Sequence, residues 1–357
     1  MSSSYKLKLE RLLNYVLEKD ASDIHFNVGR PPTIRVDRKL IIMEGEDVLT
    51  PDDTVGLVEA FLTEEQKDRF EKQMELDLSF AFSDKARFRI NVFHQKGFVG
   101  AALRLIPNKI RTIEELGLPP IIKDFANDFQ GLVLMVGPTG HGKSTTLASL
   151  LDVVNHNRAE HIITIEDPIE YLLTQDKSII NQRELNQDTM SFARALRSVL
   201  REDGDVVMVG EMRDLDTISS TITVAETGHL VFATLHTNSA AQTVDRIVDA
   251  FPSYQQNQVK AQFASIISGV ISQRLIPRIG GGRVVAAEVL VATSAVRNLI
   301  REGKAYQLDG VIQTSAEDGM ISLDNSLAEL VRAQQITMND AMMYALDQKN
   351  LSALLES

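Results

Sequence analysis

The sequence predicts an α/β protein in two parts: a small α+β domain, then a larger domain on a mostly parallel sheet. Strand patterns cluster within the first hundred residues, whereas from Gln130 onward strand and helix patterns alternate. The length of 357 residues fits about two domains, and 44% hydrophobic residues supply a core for each. The boundaries follow as 1–107 for the first domain, 108–129 for a connection rich in Pro and Gly, and 130–357 for the second.

Leu9, Leu12, Leu13, Val16 and Leu17 recur at helical spacing and open the chain with an amphipathic helix rather than a signal peptide. Pro31-Pro32 ends that pattern, and residues 33–37 alternate as a strand. Thr50-Pro51 reads as an N-cap followed by proline at the first helical position, and Thr63 stands three residues before Gln66, a capping-box spacing. Strands follow at 76–82, 87–93 and 99–105. In the second of these Phe88, Ile90 and Val92 share one face, and Arg87 and Arg89 share the other; Arg104 likewise opposes Val99, Ala101 and Leu103. These arginines read as a solvated sheet face or as cations aimed at a phosphate or a neighbouring subunit. In the second domain strands are expected at 132–136, 161–165, 206–209, 230–234 and 284–291. Helices are expected at 143–155, 189–201, 214–226 and 240–251, with short helices from about 294.

Between the strand at 132–136 and the helix at 143 lies Gly137-Pro138-Thr139-Gly140-His141-Gly142-Lys143-Ser144-Thr145, which fits G-x-x-x-x-G-K-[ST]. Its glycines let backbone N–H groups turn inward on a polyphosphate, and the helix N-terminus adds a favourable dipole. Lys143 would neutralise the β/γ-phosphates, and the Ser144 hydroxyl would bind Mg²⁺. The loop implies a nucleoside triphosphate bound with Mg²⁺.

Two carboxylates suit hydrolysis. Glu211 follows the apolar strand 206–209 after Gly210, within reach of Mg²⁺ directly or through water. Glu166 emerges from strand 161–165 just before Asp167-Pro168, at the sheet edge where ligands bind, and is assigned to position the attacking water. His229 and His236 flank strand 230–234; seven residues apart, they do not converge on one metal, but His236 falls on the edge that carries the loop and suits sensing a γ-phosphate.

The net charge, 37 − 49 = −12, argues against nucleic acid as a partner, and no apolar run approaches the length of a membrane helix. Cysteine is absent, which excludes disulfides and cysteine-bound zinc.

Together these segments closely resemble the retraction ATPases of bacterial type IV pili, the PilT/PilU group of secretion ATPases, over nearly the whole chain. The motifs are residues 137–145 as Walker A, 165–170 as the Asp box, 209–214 as Walker B and 226–236 as the His box. Ala295-Val296-Arg297-Asn298-Leu299-Ile300 is similar to the family's retraction-associated Ala-Ile-Arg-Asn-Leu-Ile, with Val296 in place of Ile. The resemblance implies a PAS-like α+β N-terminal domain, a RecA-like P-loop ATPase domain with C-terminal helices, and a homohexamer. It implies that nucleotide lies between the domains, with Arg87, Arg89 or Arg104 completing the site and His229 and His236 among the catalytic residues. Its partners would be an inner-membrane platform protein, the pilus machinery and a paralogous ATPase; its place would be cytoplasmic, peripheral at the inner membrane's cytoplasmic face. An ATP-hydrolysing motor for pilus retraction and twitching motility is the expected function, and an accessory ring subunit that binds ATP beside a separate motor is the alternative. The missing cysteines and the expected lack of a long N-terminal extension favour retraction over assembly, because assembly ATPases generally carry a tetracysteine zinc module. His141 departs from the Ser common in the loop, and Gly204 from the Pro common before Walker B.

Overall fold

Leu9, Leu12, Leu13 and Val16 form the buried stripe of the first helix, α1 (Ser2–Glu18), as their spacing requires. They are seen in a computed structural model that describes residues 2–36, 39–83, 86–106 and 109–356; Asp37, Pro107 and Asn108, which bear on the expected strand and boundary, lie outside the described residues. The chain divides into two compact units, 1–108 and 109–357.

In the first unit, α1 is followed by β1 (Asp23–Phe26), β2 (Thr33–Val36), β3 (Lys39–Ile42), α2 (Pro51–Glu59), α3 (Glu64–Gln73), β4 (Glu75–Phe82), β5 (Ala86–Gln95) and β6 (Phe98–Ile106). The six strands form an antiparallel sheet in the order β3-β2-β1-β6-β5-β4. Thr50 and Thr63 cap α2 and α3 through reciprocal bonds with Asp53 and Gln66, so both helix starts lie where the sequence sets them. The four-residue strands β1 and β3 were not expected. They are too short to show a period, and pairing with their neighbours defines them.

In the second unit come α4 (Ile121–Asp124), β7 (Gly131–Val136), α5 (Lys143–Asn157), β8 (His161–Glu166), β9 (Ile179–Glu184), α6 (Phe192–Val199), β10 (Val206–Val209), α7 (Leu215–Glu226), β11 (Leu230–Leu235), α8 (Ala240–Asp249), α9 (Ser253–Ile266), β12 (Ile267–Pro277) and β13 (Arg283–Val291). The sheet order is β13-β12-β7-β11-β10-β8-β9, parallel throughout except for β13 at one edge. Every residue of β7, β10 and β11 is buried, as expected of strands covered on both faces by helices. Two strands were not expected: β9, and β12, which begins at the residue after α9 with no turn to mark it.

The stretch read as a connection instead packs into this unit, because Ile113, Leu118, Ile122 and Phe125 are apolar and join the core beside β7 and α5. The Pro and Gly around them punctuate the backbone without freeing it.

The C-terminal helices are α10 (Ser294–Arg301), α11 (Leu308–Thr314), α12 (Leu323–Arg332), α13 (Met338–Tyr344) and α14 (Gln348–Glu356). Val296 and Ile300 of α10 are fully buried, so the Val substitution keeps its packing role. Arg297 fixes the helix by donating to the carbonyls of Ala264 and Ser265 at 2.8 and 2.9 Å.

Candidate active site

The sheet order explains how the second unit gathers its polar residues. Strand β7, which leads into the phosphate loop, and β10, which leads to Glu211, are not neighbours; β11 lies between them. His236 follows β11 directly and therefore falls between loop and acid. Its Nε2 lies 2.8 Å from Glu211 Oε1, and its Nδ1 lies 3.5 Å from the Thr139 hydroxyl. Arg213 Nε donates to the same Glu211 oxygen at 2.5 Å. Burial alone would raise the Glu211 carboxyl, but Arg213 and His236 outweigh it and hold the group below its usual range.

Gly210, the residue that separates Glu211 from its strand, has a steric reason to be glycine. A Cβ there would lie 3.1 Å from the Ile165 carbonyl oxygen and 3.3 Å from Glu166 Cα. The ends of β8 and β10 thus approach so closely that a side chain would fit only if the neighbouring backbone gave by a few tenths of an ångström, and the Gly210 N–H donates to Ile165 O at 2.8 Å. Thr234 donates to Gly210 O at 2.5 Å and tethers the turn to β11.

Glu166 closes β8 and is only 6% exposed. Its Oε1 accepts from the Thr164 hydroxyl at 2.6 Å and from Gln182 Nε2 at 3.1 Å; its Oε2 accepts from the Glu170 N–H at 3.3 Å. Burial raises its pKa, and these three neutral donors only partly offset that. A carboxyl raised above its usual range and still bonded to neutral donors is suited to accept a proton.

The loop itself turns at Gly137, whose φ of +139° is a glycine conformation; a Cβ there would lie 2.5 Å from Gln273 O. Lys143, at the start of α5, is buried and donates to the loop carbonyls of Gly137 and Pro138 at 2.8 and 3.1 Å. Burial lowers its pKa, opposed by the charges of Glu211 and Glu170. Gly142 caps α5, Ser144 is half-buried on the first helical turn, and the Thr145 hydroxyl lies 2.7 Å from that of Tyr171. A buried ammonium held by neutral carbonyls at a helix N-terminus fits a polyphosphate. Among the described residues no group of three His, Asp or Glu could hold a metal. Mg²⁺ needs no such cage, since it usually retains waters and takes one or two protein ligands with the substrate's phosphates.

Not every expected residue joins this group. His229 stands at the amino end of β11, about 20 Å of strand from His236. Its Nδ1 lies 3.0 Å from Val224 O and 3.2 Å from the Thr227 hydroxyl, a cap on the end of α7 that keeps it away from this subunit's loop. The arginines belong to the first unit. Across its sheet Arg35, Asp23, Arg104, Arg89 and Ser79 lie in one register row. Arg104 Nε donates to Asp23 at 2.9 Å, and Arg87 donates to the Ser79 hydroxyl at 3.0 and 2.6 Å, whereas Arg89 is exposed. Burial would raise Asp23, yet the Ser22 hydroxyl and Arg104 hold it low. Sequence reasoning missed the polar residues of β12, Gln273 and Arg274, which are buried against the loop and Asn238. It also missed Gln182, Tyr171 and Arg213.

A phosphate loop between a central parallel strand and a helix, with carboxylates at the ends of nearby strands, defines a P-loop nucleotide-hydrolysing unit. Residues 3–281 match the family model described as "Type II/IV secretion system protein". The chain is 46% identical over 340 residues to the type IV pilus retraction ATPase PilT of Pseudomonas aeruginosa, covering 94% of this chain and 97% of that one. It is 37% identical over 351 residues to the type IV pilus ATPase PilU of the same organism, covering 98% and 92%. A crystal structure of the pilus retraction motor PilT with bound ADP superposes with a TM-score of 0.90 at 45% identity, covering 96% of this chain and 98% of that one. The chain therefore belongs to the type II/IV secretion ATPase family, among the retraction ATPases of type IV pili.

Proposed function

We propose that this protein is an ATP-hydrolysing motor that powers type IV pilus retraction and twitching motility, and that residues 137–145 bind the triphosphate. The observation that carries this is the convergence of Thr139, His236 and Glu211 at the carboxyl edge of three strands, beside the buried Lys143. Lys143 would leave its loop carbonyls to hold β- and γ-phosphate oxygens, and the loop N–H groups would fix the chain of phosphates. Ser144 and Glu211 would hold Mg²⁺, Glu211 directly or through water; the bound ion would neutralise charge on the phosphates. Glu166 would orient the attacking water and take its proton. His236, bonded to Glu211, would register whether a γ-phosphate stands near Thr139.

In this reading the motor is a homohexamer at the cytoplasmic face of the inner membrane, acting on a platform protein of the pilus machinery and working beside a paralogous ATPase. Arg87, Arg89 or Arg104 of one subunit would serve nucleotide held by another. Arg89 is the best placed of the three, since Arg104 and Arg87 already have partners. Among the described residues no helix is long and apolar enough to cross a membrane, so attachment would be through partners.

Lys143→Ala tests the loop. Nucleotide affinity and steady-state phosphate release should both fall at least a hundredfold. A variant that hydrolyses ATP at the wild-type rate would remove residues 137–145 from the mechanism. Wild-type protein that binds ATP with negligible turnover would favour the accessory-subunit alternative.

A further inference from the structure

Backbone groups alone suffice for a phosphate loop to bind, so the His141 side chain at its apex calls for a separate account. Strand β12 pairs with β7 only as far as Ser272, which faces Val136; there β7 turns away into the loop. Beyond that point the edge of β12 that faced β7 has lost its strand partner, while pairing with β13 continues on the other side through Leu275 to Pro277. The Leu275 N–H at that open edge donates to His141 Nδ1 at 3.0 Å. The imidazole thus occupies the place that a carbonyl of β7 would hold if the strand ran on.

Three further contacts act with it. Gln273, 3% exposed, donates from Nε2 to the His141 carbonyl at 2.7 Å and accepts at Oε1 from the Thr146 hydroxyl at 2.7 Å. Arg283 Nη1 donates to the Gly140 carbonyl at 3.2 Å. On its other side the His141 ring lies 6.5 Å, centroid to centroid, from Tyr344 of α13. Burial and the charges of Arg274, Arg283 and Lys143 hold the imidazole below its ordinary pKa of 6.5, which favours the neutral ring whose Nδ1 can accept.

We propose that His141 is a positioning residue for nucleotide binding: its Nδ1 continues the β12 ladder past the end of β7 and fixes the loop's apex so that the loop N–H groups converge on phosphate. This rests on the reading of residues 137–145 as the nucleotide loop. It assigns to the side chain an effect that acts through the loop backbone, without contact to the ligand.

Two variants separate the acceptor from the bulk of the ring. His141→Asn keeps an acceptor oxygen near the position of Nδ1, and His141→Leu fills comparable space without one. In the full-length protein without nucleotide, hydrogen exchange at the Leu275 amide should quicken in His141→Leu and stay near wild type in His141→Asn. ADP affinity in the presence of Mg²⁺, measured by titration calorimetry, should weaken about three- to tenfold in His141→Leu and stay within about twofold in His141→Asn. Unchanged exchange at Leu275, or equal losses of affinity in both variants, would overturn the proposal. Quickened exchange in His141→Leu, together with a wild-type protein that binds no ADP, would instead overturn the nucleotide reading, and the positioning role with it.

Discussion

Glu166 and Glu211 stand at the ends of neighbouring strands, β8 and β10, yet their surroundings drive them in opposite directions. Glu166 is buried among a hydroxyl, an amide and a peptide N–H, and burial raises its pKa. Glu211 is bonded to Arg213 and His236 and is held low. When two carboxylates are pushed apart in this way, the raised one is fitted to exchange a proton and the lowered one to remain a fixed negative charge. The assignment of Glu166 to water and Glu211 to Mg²⁺ thus rests on their neighbours as well as on their place in the sequence.

The largest effect should come from Glu166→Gln, which keeps the shape and the Oε1 acceptor, gives up the bond from the Glu170 N–H and removes the basicity. Steady-state kcat should fall about 10²- to 10⁴-fold with ATP affinity within a few-fold of wild type. In the wild-type enzyme kcat should be lost as pH falls through the raised Glu166 pKa, so the acid limb should lie above the ordinary carboxylate value of 4.5. A limb at 4.5 or lower would mean that the base lies elsewhere. Glu211→Gln should act less on the chemical step and more on the ion. The Mg²⁺ concentration needed for half-maximal turnover should rise about ten- to a hundredfold, and saturating Mg²⁺ should restore most of the rate. If Glu211→Gln instead lost turnover at every Mg²⁺ concentration as deeply as Glu166→Gln, the contrast between the two groups would fail.

A third carboxylate sharpens the comparison with the smallest effect. Glu288 of β13 is buried and accepts from the Ala240 N–H at 2.7 Å; burial, with Asp309 and Asp324 adding to it, pushes its pKa up to about 7 against the opposing charge of Arg274. Because this pKa lies above its unfolded value of 4.5, the folded protein binds the proton more tightly. Its contribution to stability is complete below pH 4.5 and lost as pH rises to about 7. Over that window stability should decline by about 1 kcal/mol per pH unit from this group. Glu288→Gln, which can still accept from Ala240, should flatten that slope in denaturant titrations while leaving kcat nearly unchanged. An unaltered slope would show that Glu288 titrates normally.

Much of this arrangement was legible in the sequence because it is local. A strand, nine loop residues and a helix start are contiguous, as are the ends of β8 and β10 with their acids. The N-cap at Thr50 with its following proline and the capping-box spacing at Thr63 are short local signals, and both helices start there. What was hidden depends on pairing between distant residues. Asp23 meets Arg104 across 81 positions, which no spacing rule shows. Strand β12 was concealed by a missing turn and by Ser272, Gln273 and Arg274, which look like surface residues but are buried because each bonds to nearby chain or loop groups. Val270-Ile271 before them and Leu275-Ile276 after them were the available signal: a polar triplet between apolar pairs, where a strand reaches its carboxyl end. The histidines were legible in part: the sequence placed His229 and His236 at opposite ends of one strand with His236 on the loop's edge, and β11 holds them about 20 Å apart.

The strand that intervenes between β7 and β10 also acts as a gauge. Adjacent strands lie about 4.8 Å apart, so the loop and its acid emerge from the sheet roughly 10 Å from each other. That width is fixed by backbone hydrogen bonds, the least adjustable dimension of the fold, and not by the side chains around the gap. In the proposed reading the Glu211 carboxylate, Mg²⁺ and the phosphates it would neutralise would all share that width. Substitutions can therefore change which groups line the opening, but only a change in strand order would change its size.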